Sequence, residues 1–161
     1  MPVDWTNEMA IKMKPYVRQV VTGEAESHSM TLLKAGDLVD VSDEPFERGG
    51  TNEGMSPTQF FECALVACTN VISHKVAKQN DINLVSYKIT LDAGFNRNGV
   101  MLKEEVDLPF PDMKLTIEVT TDASDEKMAT LAKELAMYCP ISKMIIAAGT
   151  ELETEWVVRR P

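Results

Sequence analysis

The stretch that decides the fold runs from Ser56 to Gln79 and reads SPTQFFECALVACTNVISHKVAKQ. It opens as helices do, with Ser56 as N-cap, Pro57 in the first helical position and Gln59 completing a capping box. Apolar residues then continue on nearly every side of the predicted helix and leave only a thin polar stripe. A helix this apolar must be enclosed almost all round.

Three short β-type runs come before this helix. Their separation by Gly23, Gly36 and Asp37 predicts a small antiparallel meander. The runs are Tyr16–Thr22, Met30–Lys34 and Leu38–Ser42. The loop GGTNEGMSP at 49–57 follows no strand-linked phosphate-binding pattern, so its glycines are interpreted as hinge residues of a flexible loop.

The residues after the helix predict two half-buried strands, a broken helix and a last strand. Alternation predicts the strands, whereas the polar, proline-containing segment 96–112 between them predicts no regular element. Ser124 is typical of the cap of the next helix, and Pro140 breaks that helix after Cys139. The remaining elements are strands Leu84–Phe95 and Met113–Thr121, a short helix Ile141–Ala148 and a strand Leu152–Val158.

This order predicts the α+β class rather than alternating βαβ units. A chain of 161 residues without internal repeats or linkers is expected to form one domain over 1–161. The apolar helix has more surface to bury than one small sheet can cover. We therefore expect a second subunit to cover the rest, in a homodimer.

The composition and net charge of the chain argue against some classes of binding partner. Sixteen Lys and Arg against 25 Asp and Glu give a net charge of −9, without the clustered cations that nucleic acids or anionic membranes select. No apolar run is long enough to span a membrane, and residues 1–10 lack the features of a secretory signal. An odd number of cysteines, without CxxC, argues against a disulfide framework. The expectation is a soluble cytoplasmic protein.

Two cysteines are candidates for chemistry. Cys68 has apolar neighbours on its helix, a pattern that is more typical of a buried core cysteine than of a reactive thiol. Cys139 lies at the helix break, where the positive end of the next helix and Lys143 favour a thiolate, although a cysteine that fills a kink is equally compatible. Cys63 is roughly 140° around the helix from Cys68 and is interpreted as a packing residue.

The two histidines lie in separate elements and predict no metal site, and no cofactor is expected.

Three segments together resemble the OsmC/Ohr family of osmotically inducible and organic hydroperoxide resistance proteins. They are GGTN at 49–52, SPTQFFECALVACTN at 56–70 and YCPISKM at 138–144, and the resemblance extends over nearly the whole chain. It implies a two-layer sandwich in which antiparallel sheets surround a long central helix and two subunits intertwine.

The resemblance also implies a thiol-dependent hydroperoxide reductase that acts in oxidative or osmotic stress. Cys68 would attack the peroxide and become a sulfenic acid, and Cys139 would resolve it to a disulfide. An external dithiol, often a lipoyl group in the family, would then reduce the pair. Side chains that could line an apolar substrate pocket, or equally belong to the core, are Met55, Thr58, Phe60, Phe61 and Met144. Such a pocket favours fatty or aromatic hydroperoxides over hydrogen peroxide.

Two positions depart from the organic hydroperoxide branch, which supports its thiolate with an Arg after the first strand and a Glu after the helix-opening Pro. This chain has Thr58 at the second position and no Arg at the first. Arg18 and Arg48 are the remaining candidate cations. The departures favour an alternative function, a non-catalytic dimeric module that binds a small apolar ligand or senses oxidation.

Overall fold

The computed structural model describes residues 15–161. These residues belong to two compact units, one ending at Ser56 and the other spanning Pro57–Pro161. The stretch 1–10, predicted to carry no secretory signal, lies outside the described residues, and the single domain over 1–161 stays a prediction. None of the helices in the described part combines the length and the apolar content that crossing a membrane requires.

The first unit contains the expected meander of β1 (Val21–Ala25), β2 (Thr31–Ala35) and β3 (Leu38–Ser42), each antiparallel to the next. The predicted first strand, Tyr16–Thr22, begins and ends too early, because β1 spans Val21–Ala25. The predicted turn at Gly23 is wrong, because Gly23 pairs with Leu33 in the middle of β1.

The turn predicted at Gly23 is formed instead at Ser27. Its Oγ accepts hydrogen bonds from the backbone N–H groups of Ser29 and Met30, at 3.2 and 2.9 Å. A serine that bonds the backbone two or three residues ahead initiates a turn as effectively as a glycine. The strand therefore continues past Gly23 as far as Ala25.

A buried carboxylate holds the loop that follows β3. Asp43 is 0% exposed, and its Oδ2 accepts hydrogen bonds from the Thr51 N–H and Oγ1 at 2.8 and 2.7 Å. The loop is packed tightly, because a Cβ on Gly50 would lie 1.8 Å from the Glu44 carbonyl oxygen. The interpretation of these glycines as hinges is therefore wrong: Gly50 is required by a close backbone approach.

Replacing Asp43 with Asn is expected to lower the melting temperature at neutral pH. The Thr51 hydroxyl and backbone N–H hold the pKa of Asp43 well below its usual 3.8. The ionised carboxylate therefore stabilises the fold above pH 4, and that stability is lost as the pH falls through the lower folded-state pKa. The difference between the thermal melts of the two proteins should therefore shrink progressively as the pH falls below 4. Asp37→Asn, in the exposed turn between β2 and β3, is the control, and an equal effect of the two substitutions would contradict the assignment.

The second unit contains three helices and one mixed sheet. The long helix α1 (Pro57–Gln79) begins and ends as predicted, and the other helices are α2 (Asp125–Tyr138) and α3 (Pro140–Ala147). The sheet has the order β4-β5-β6, formed by Ser86–Ala93, Asp112–Thr120 and Glu151–Arg159. The expectation of antiparallel sheets holds for β4 and β5, whereas β6 runs parallel to β5. The reason is that α2 and α3 form the crossover connection that parallel neighbours require.

The core of this unit lies between β5 and the helices. Alternate side chains of β5 are buried, from Met113 to Val119. The buried positions of α1 recur every four residues at Leu65, Thr69 and Ser73, so this helix buries one face. Other apolar positions of α1 remain exposed in the single chain, including Phe61 at 39% and Val71 at 48%.

Candidate active site

Cys68 lies at the middle of α1 and is partly buried. It packs against the cluster formed by Ile117, Leu135 and Cys139. The helix therefore turns this thiol toward the core of the second unit, whereas Cys63, five residues earlier, is exposed.

The break between α2 and α3 positions Cys139. This residue has an extended backbone, with φ −70° and ψ 108°, and caps both helices. Its N–H donates to the Leu135 carbonyl oxygen at 2.9 Å, and its own carbonyl accepts from the Ser142 Oγ at 3.0 Å. Both helix ends thus hold Cys139 in place, with its side chain 0% exposed. The predicted Ser124 cap of α2 is confirmed, since its Oγ accepts from the Lys127 N–H.

The sulfur atoms of Cys68 and Cys139 lie 3.3 Å apart. A disulfide bond is about 2.05 Å long, so the two sulfurs are in contact without being bonded. Closing the bond requires a movement of about 1 Å. Two thiols that are 71 residues apart in the sequence are thus within reach of disulfide formation.

The surroundings of Cys68 disfavour its thiolate. Burial raises the pKa of the Cys68 thiol above its ordinary value, and the neighbouring Cys139 raises it further. Two groups act in the opposite direction: the backbone N–H of Ile141, which donates a hydrogen bond to the sulfur, and the positive charge of Lys75. Because the net effect raises the pKa, only a small fraction of Cys68 is ionised at neutral pH.

An apolar groove of about 360 Å³ adjoins this site. Phe110 forms its aromatic wall, with its ring centroid 5.1 Å from Phe61 and 4.7 Å from Phe95. The groove reaches Ala64, one helical turn before Cys68, and Ile141, whose N–H bonds the sulfur. The lining of the groove includes Phe61, Ala64, Phe110, Ile141, Met144 and Ala148.

The structure brings together some of the predicted pocket residues. Phe61 and Met144 line the groove, whereas Thr58 and Phe60 do not. Phe60 is turned about 100° around α1 from Phe61, and Thr58 lies one turn earlier, in the first turn of the helix. Met55 belongs to the first unit, where its carbonyl oxygen accepts from the Ser42 Oγ at 3.1 Å.

The two arginines proposed as thiolate partners also belong to the first unit. Arg48 forms an ion pair with Glu44 there. A role of Arg18 or Arg48 at Cys68 stays a prediction.

Within residues 15–161, His, Cys, Asp and Glu side chains form no group of three that could hold a metal ion.

Three contributors to this site are not among the residues predicted from the sequence. Lys75 could have been found, because it lies seven residues, or two helical turns, after Cys68 on the same helix. The Ile141 N–H acts through the backbone and leaves no side-chain signal. Phe110 lies in the segment for which no structure was predicted, and its position becomes visible only when that segment folds against α1.

The family model described as OsmC-like protein matches residues 50–155, well over half of the chain. The chain belongs to the OsmC-like family. A search of curated protein sequences gives no match.

Solved structures share the fold of this OsmC-like protein. An OsmC-like protein from Mycoplasma pneumoniae matches with a TM-score of 0.70 and 13% identity, over 89% of this chain and 97% of that one. An organic hydroperoxide resistance protein from Legionella pneumophila matches with a TM-score of 0.61 and 17% identity, over 90% and 98%. OhrB of Bacillus subtilis, also an organic hydroperoxide resistance protein, matches with a TM-score of 0.55 and 22% identity, over 89% and 98%.

Alkylation of Cys68 by iodoacetamide is expected to be slow at pH 7 and to accelerate up to and beyond pH 9, since burial raises its pKa above the ordinary 9.0. Cys63→Ser provides the background in which the exposed cysteine does not react, and mass spectrometry of the Cys68 peptide measures the rate. Lys75→Met should shift the profile to still higher pH, whereas Lys78→Met, in the last turn of α1, should not. An inflection below pH 7 in the parent protein would contradict this description.

Proposed function

We propose that this protein is a thiol-dependent organic hydroperoxide reductase that acts in peroxide stress defence. The observation that carries the proposal is the 3.3 Å contact between Cys68 and Cys139, beside an apolar groove. Membership of the OsmC-like family and the similarity to organic hydroperoxide resistance proteins agree with it.

In the proposed reaction, the Cys68 thiolate attacks the terminal oxygen of the hydroperoxide. The O–O bond breaks, Cys68 becomes a sulfenic acid, and the alkoxide leaves and takes up a proton to form the alcohol. The Cys139 thiol then attacks the sulfenic sulfur, which forms the disulfide and releases water. An external dithiol, of the lipoyl type, returns two electrons and two protons and regenerates both thiols.

The unequal exposure of the two sulfurs supports these roles. Cys68 is partly exposed and is next to Ala64 and Ile141, which line the groove although Cys68 itself does not. A peroxide in the groove would approach the sulfur from this side. Cys139 is 0% exposed and in contact with Cys68, so a sulfenic acid on Cys68 is the oxidised group within its reach. The Ile141 N–H and Lys75 are the groups that lower the pKa of Cys68, where the family uses an arginine, although burial outweighs them.

A second function, a non-catalytic module that binds an apolar ligand or senses oxidation, is favoured by one observation. The pKa of Cys68 is raised rather than lowered, which makes its thiol a weaker nucleophile at neutral pH than an activated cysteine. The reductase would consume peroxide over many turnovers and the non-catalytic module would not, so a turnover assay distinguishes the two functions.

Consumption of cumene hydroperoxide with dihydrolipoamide as reductant is expected in the parent protein and in Cys63→Ala, the matched control. Cys68→Ala should reduce it to the uncatalysed background, because the attacking sulfur is gone. Cys139→Ala should stop turnover after one equivalent and leave a sulfenic acid on Cys68, trapped by dimedone and located by mass spectrometry. Absence of turnover, with all thiols still reduced after exposure to peroxide, would exclude the reductase and select the non-catalytic module.

We also propose that the protein is a homodimer that covers the exposed apolar side of α1. This side carries Phe61, Ala64, Ala67 and Val71, which are exposed in the single chain. A contiguous exposed apolar surface of this kind marks an interface. In such a dimer, α1 would be surrounded by protein on nearly every side, as its apolar composition requires.

Val71→Glu is expected to shift the protein from dimer to monomer, because a charge would be buried in the proposed interface without a partner. Light scattering coupled to size-exclusion chromatography measures the mass of each variant. Lys78→Glu places the same residue at an exposed polar position of α1 and should leave the dimer intact. A parent protein that elutes as a monomer at micromolar concentration would contradict the proposal.

A further inference from the structure

A second cavity, of about 200 Å³, lies on the Cys139 side of the sulfur pair. Cys139 is part of its lining, whereas Cys68, whose sulfur is 3.3 Å from that of Cys139, is not. Helices α2 and α3 and strands β5 and β6 supply most of the walls. The exposed residues of the lining, which form its mouth, are Ala136, Ile146 and Thr154. The cavity therefore leads from the surface to Cys139, the more deeply buried of the two thiols.

This cavity lies away from the side of α1 that the proposed homodimer covers. Thr69 is the residue of α1 that lines the cavity. It is roughly 140° around the helix from Ala64 and about 160° from Val71, which both belong to the covered side. Cys68, in contrast, is within about 40° of Ala64. Formation of the dimer would therefore restrict the approach to Cys68, whereas the cavity at Cys139 lies on the other side of the helix.

The position of the cavity determines which sulfur of a disulfide a thiol inside it can attack. A thiolate reduces a disulfide by displacing one sulfur from the other, and it approaches along the S–S axis from the side opposite the sulfur that leaves. A thiol in the cavity would approach Cys139 from the side away from Cys68. Because Cys139 is 0% exposed, a thiol must enter the cavity to reach its sulfur. Access from this direction makes Cys139 the attacked sulfur and Cys68 the leaving one.

The lining of the cavity fits a slender, uncharged thiol. Among the described residues that form it, none is Lys, Arg, His, Asp or Glu. A charged group would lose its hydration there without gaining a partner of opposite charge. A volume of about 200 Å³ holds roughly six or seven groups of the size of a water molecule. An unbranched thiol of a few carbon atoms is of this size.

We propose that the reductant, a small uncharged dithiol, enters this cavity and attacks the Cys68–Cys139 disulfide at Cys139. The inference rests on the proposed reductase function, because it gives the reducing half of that reaction a route of its own. The first sulfur of the dithiol bonds to Cys139 as the S–S bond breaks. Cys68 leaves as a thiolate, to which the Ile141 N–H donates a hydrogen bond, and takes up a proton.

The second thiol of the reductant completes the exchange. It attacks the reductant's own sulfur that is bonded to Cys139, so that bond breaks and Cys139 takes up a proton. The reductant leaves as a cyclic disulfide, after giving two electrons and two protons to the protein. Peroxide and reductant thus approach the sulfur pair from opposite sides.

Trapping of the mixed disulfide tests which sulfur is attacked. Diamide oxidises the Cys63→Ser protein to the Cys68–Cys139 disulfide without any peroxide. β-Mercaptoethanol, an uncharged thiol, is then added, the reaction is stopped early with excess N-ethylmaleimide, and the peptides are mapped by mass spectrometry. We expect β-mercaptoethanol on Cys139 and the maleimide on Cys68, in about tenfold excess over the reverse arrangement, a preference that differential access of about 1.4 kcal/mol produces.

Narrowing the mouth of the cavity is expected to slow reduction. Ala136→Leu should lower the rate at which dithiothreitol reduces the disulfide about tenfold, because a larger side chain overpacks the path of the thiol. Ala129→Leu, at an exposed alanine two turns earlier on α2 and outside the cavity lining, is the matched control and should leave the rate unchanged. Both variants should still form the disulfide with diamide.

β-Mercaptoethanol found on Cys68 or equally on both sulfurs, no disulfide after diamide, or equal reduction rates in Ala136→Leu and Ala129→Leu would each overturn the inference. The trapping experiment leaves α2 unaltered, so its result does not depend on the folding of Ala136→Leu. Absence of peroxide turnover together with adducts on Cys139 would refute the reductase and retain the route of reduction. Turnover together with adducts on Cys68 would retain the reductase and refute the route.

Discussion

The second unit depends on the missing N–H of Pro140. A proline cannot continue a helix, so α2 ends at Tyr138 and α3 begins at Pro140, with Cys139 held between them in an extended conformation. This break buries the Cys139 sulfur against Cys68 and directs the first turn of α3 at the same thiol. It also sets the path of α3 along the groove, and the two short helices together return the chain to add β6 parallel to β5. One backbone constraint therefore organises the sulfur pair, the groove and the last strand.

The same packing that places Cys68 also limits its reactivity. Apolar neighbours on β5 and α2 exclude water from the sulfur, and that exclusion raises the pKa of the thiol. The opposing contributions come from one backbone N–H and one lysine on the same helix, which are weaker than a buried arginine in direct contact would be. A site of this kind favours substrates that themselves prefer a dry, apolar environment. The groove beside it, with its aromatic wall, has a matching apolar character.

The two units are stabilised in different ways. In the second unit, alternate side chains of β5 pack against the buried face of α1. The hydrophobic effect, which has no preferred direction, therefore stabilises this core. In the first, the loop after β3 is held by hydrogen bonds to the buried Asp43 carboxylate and by a glycine where no Cβ fits. Directional bonds to an ionised group make this loop sensitive to acid, whereas an apolar core carries no such dependence.

By itself the sequence determined the features that rest on neighbouring residues. Capping residues and prolines act within one helical turn, so the sequence alone predicts where α1 begins and ends, the cap at Ser124 and the helix break at Pro140. The alternation of apolar and polar residues predicts strand β5. The contact of Cys68 with Cys139 was implied by resemblance, because no local pattern links residues 71 positions apart. Only the tertiary structure decided the extension of β1 through Gly23, the parallel pairing of β6, the place of Phe110 in the groove and the approach of Ile141 to the thiol. Each of these depends on which distant segments pack together, and the physical cause is the burial and hydrogen bonding that the folded chain alone provides.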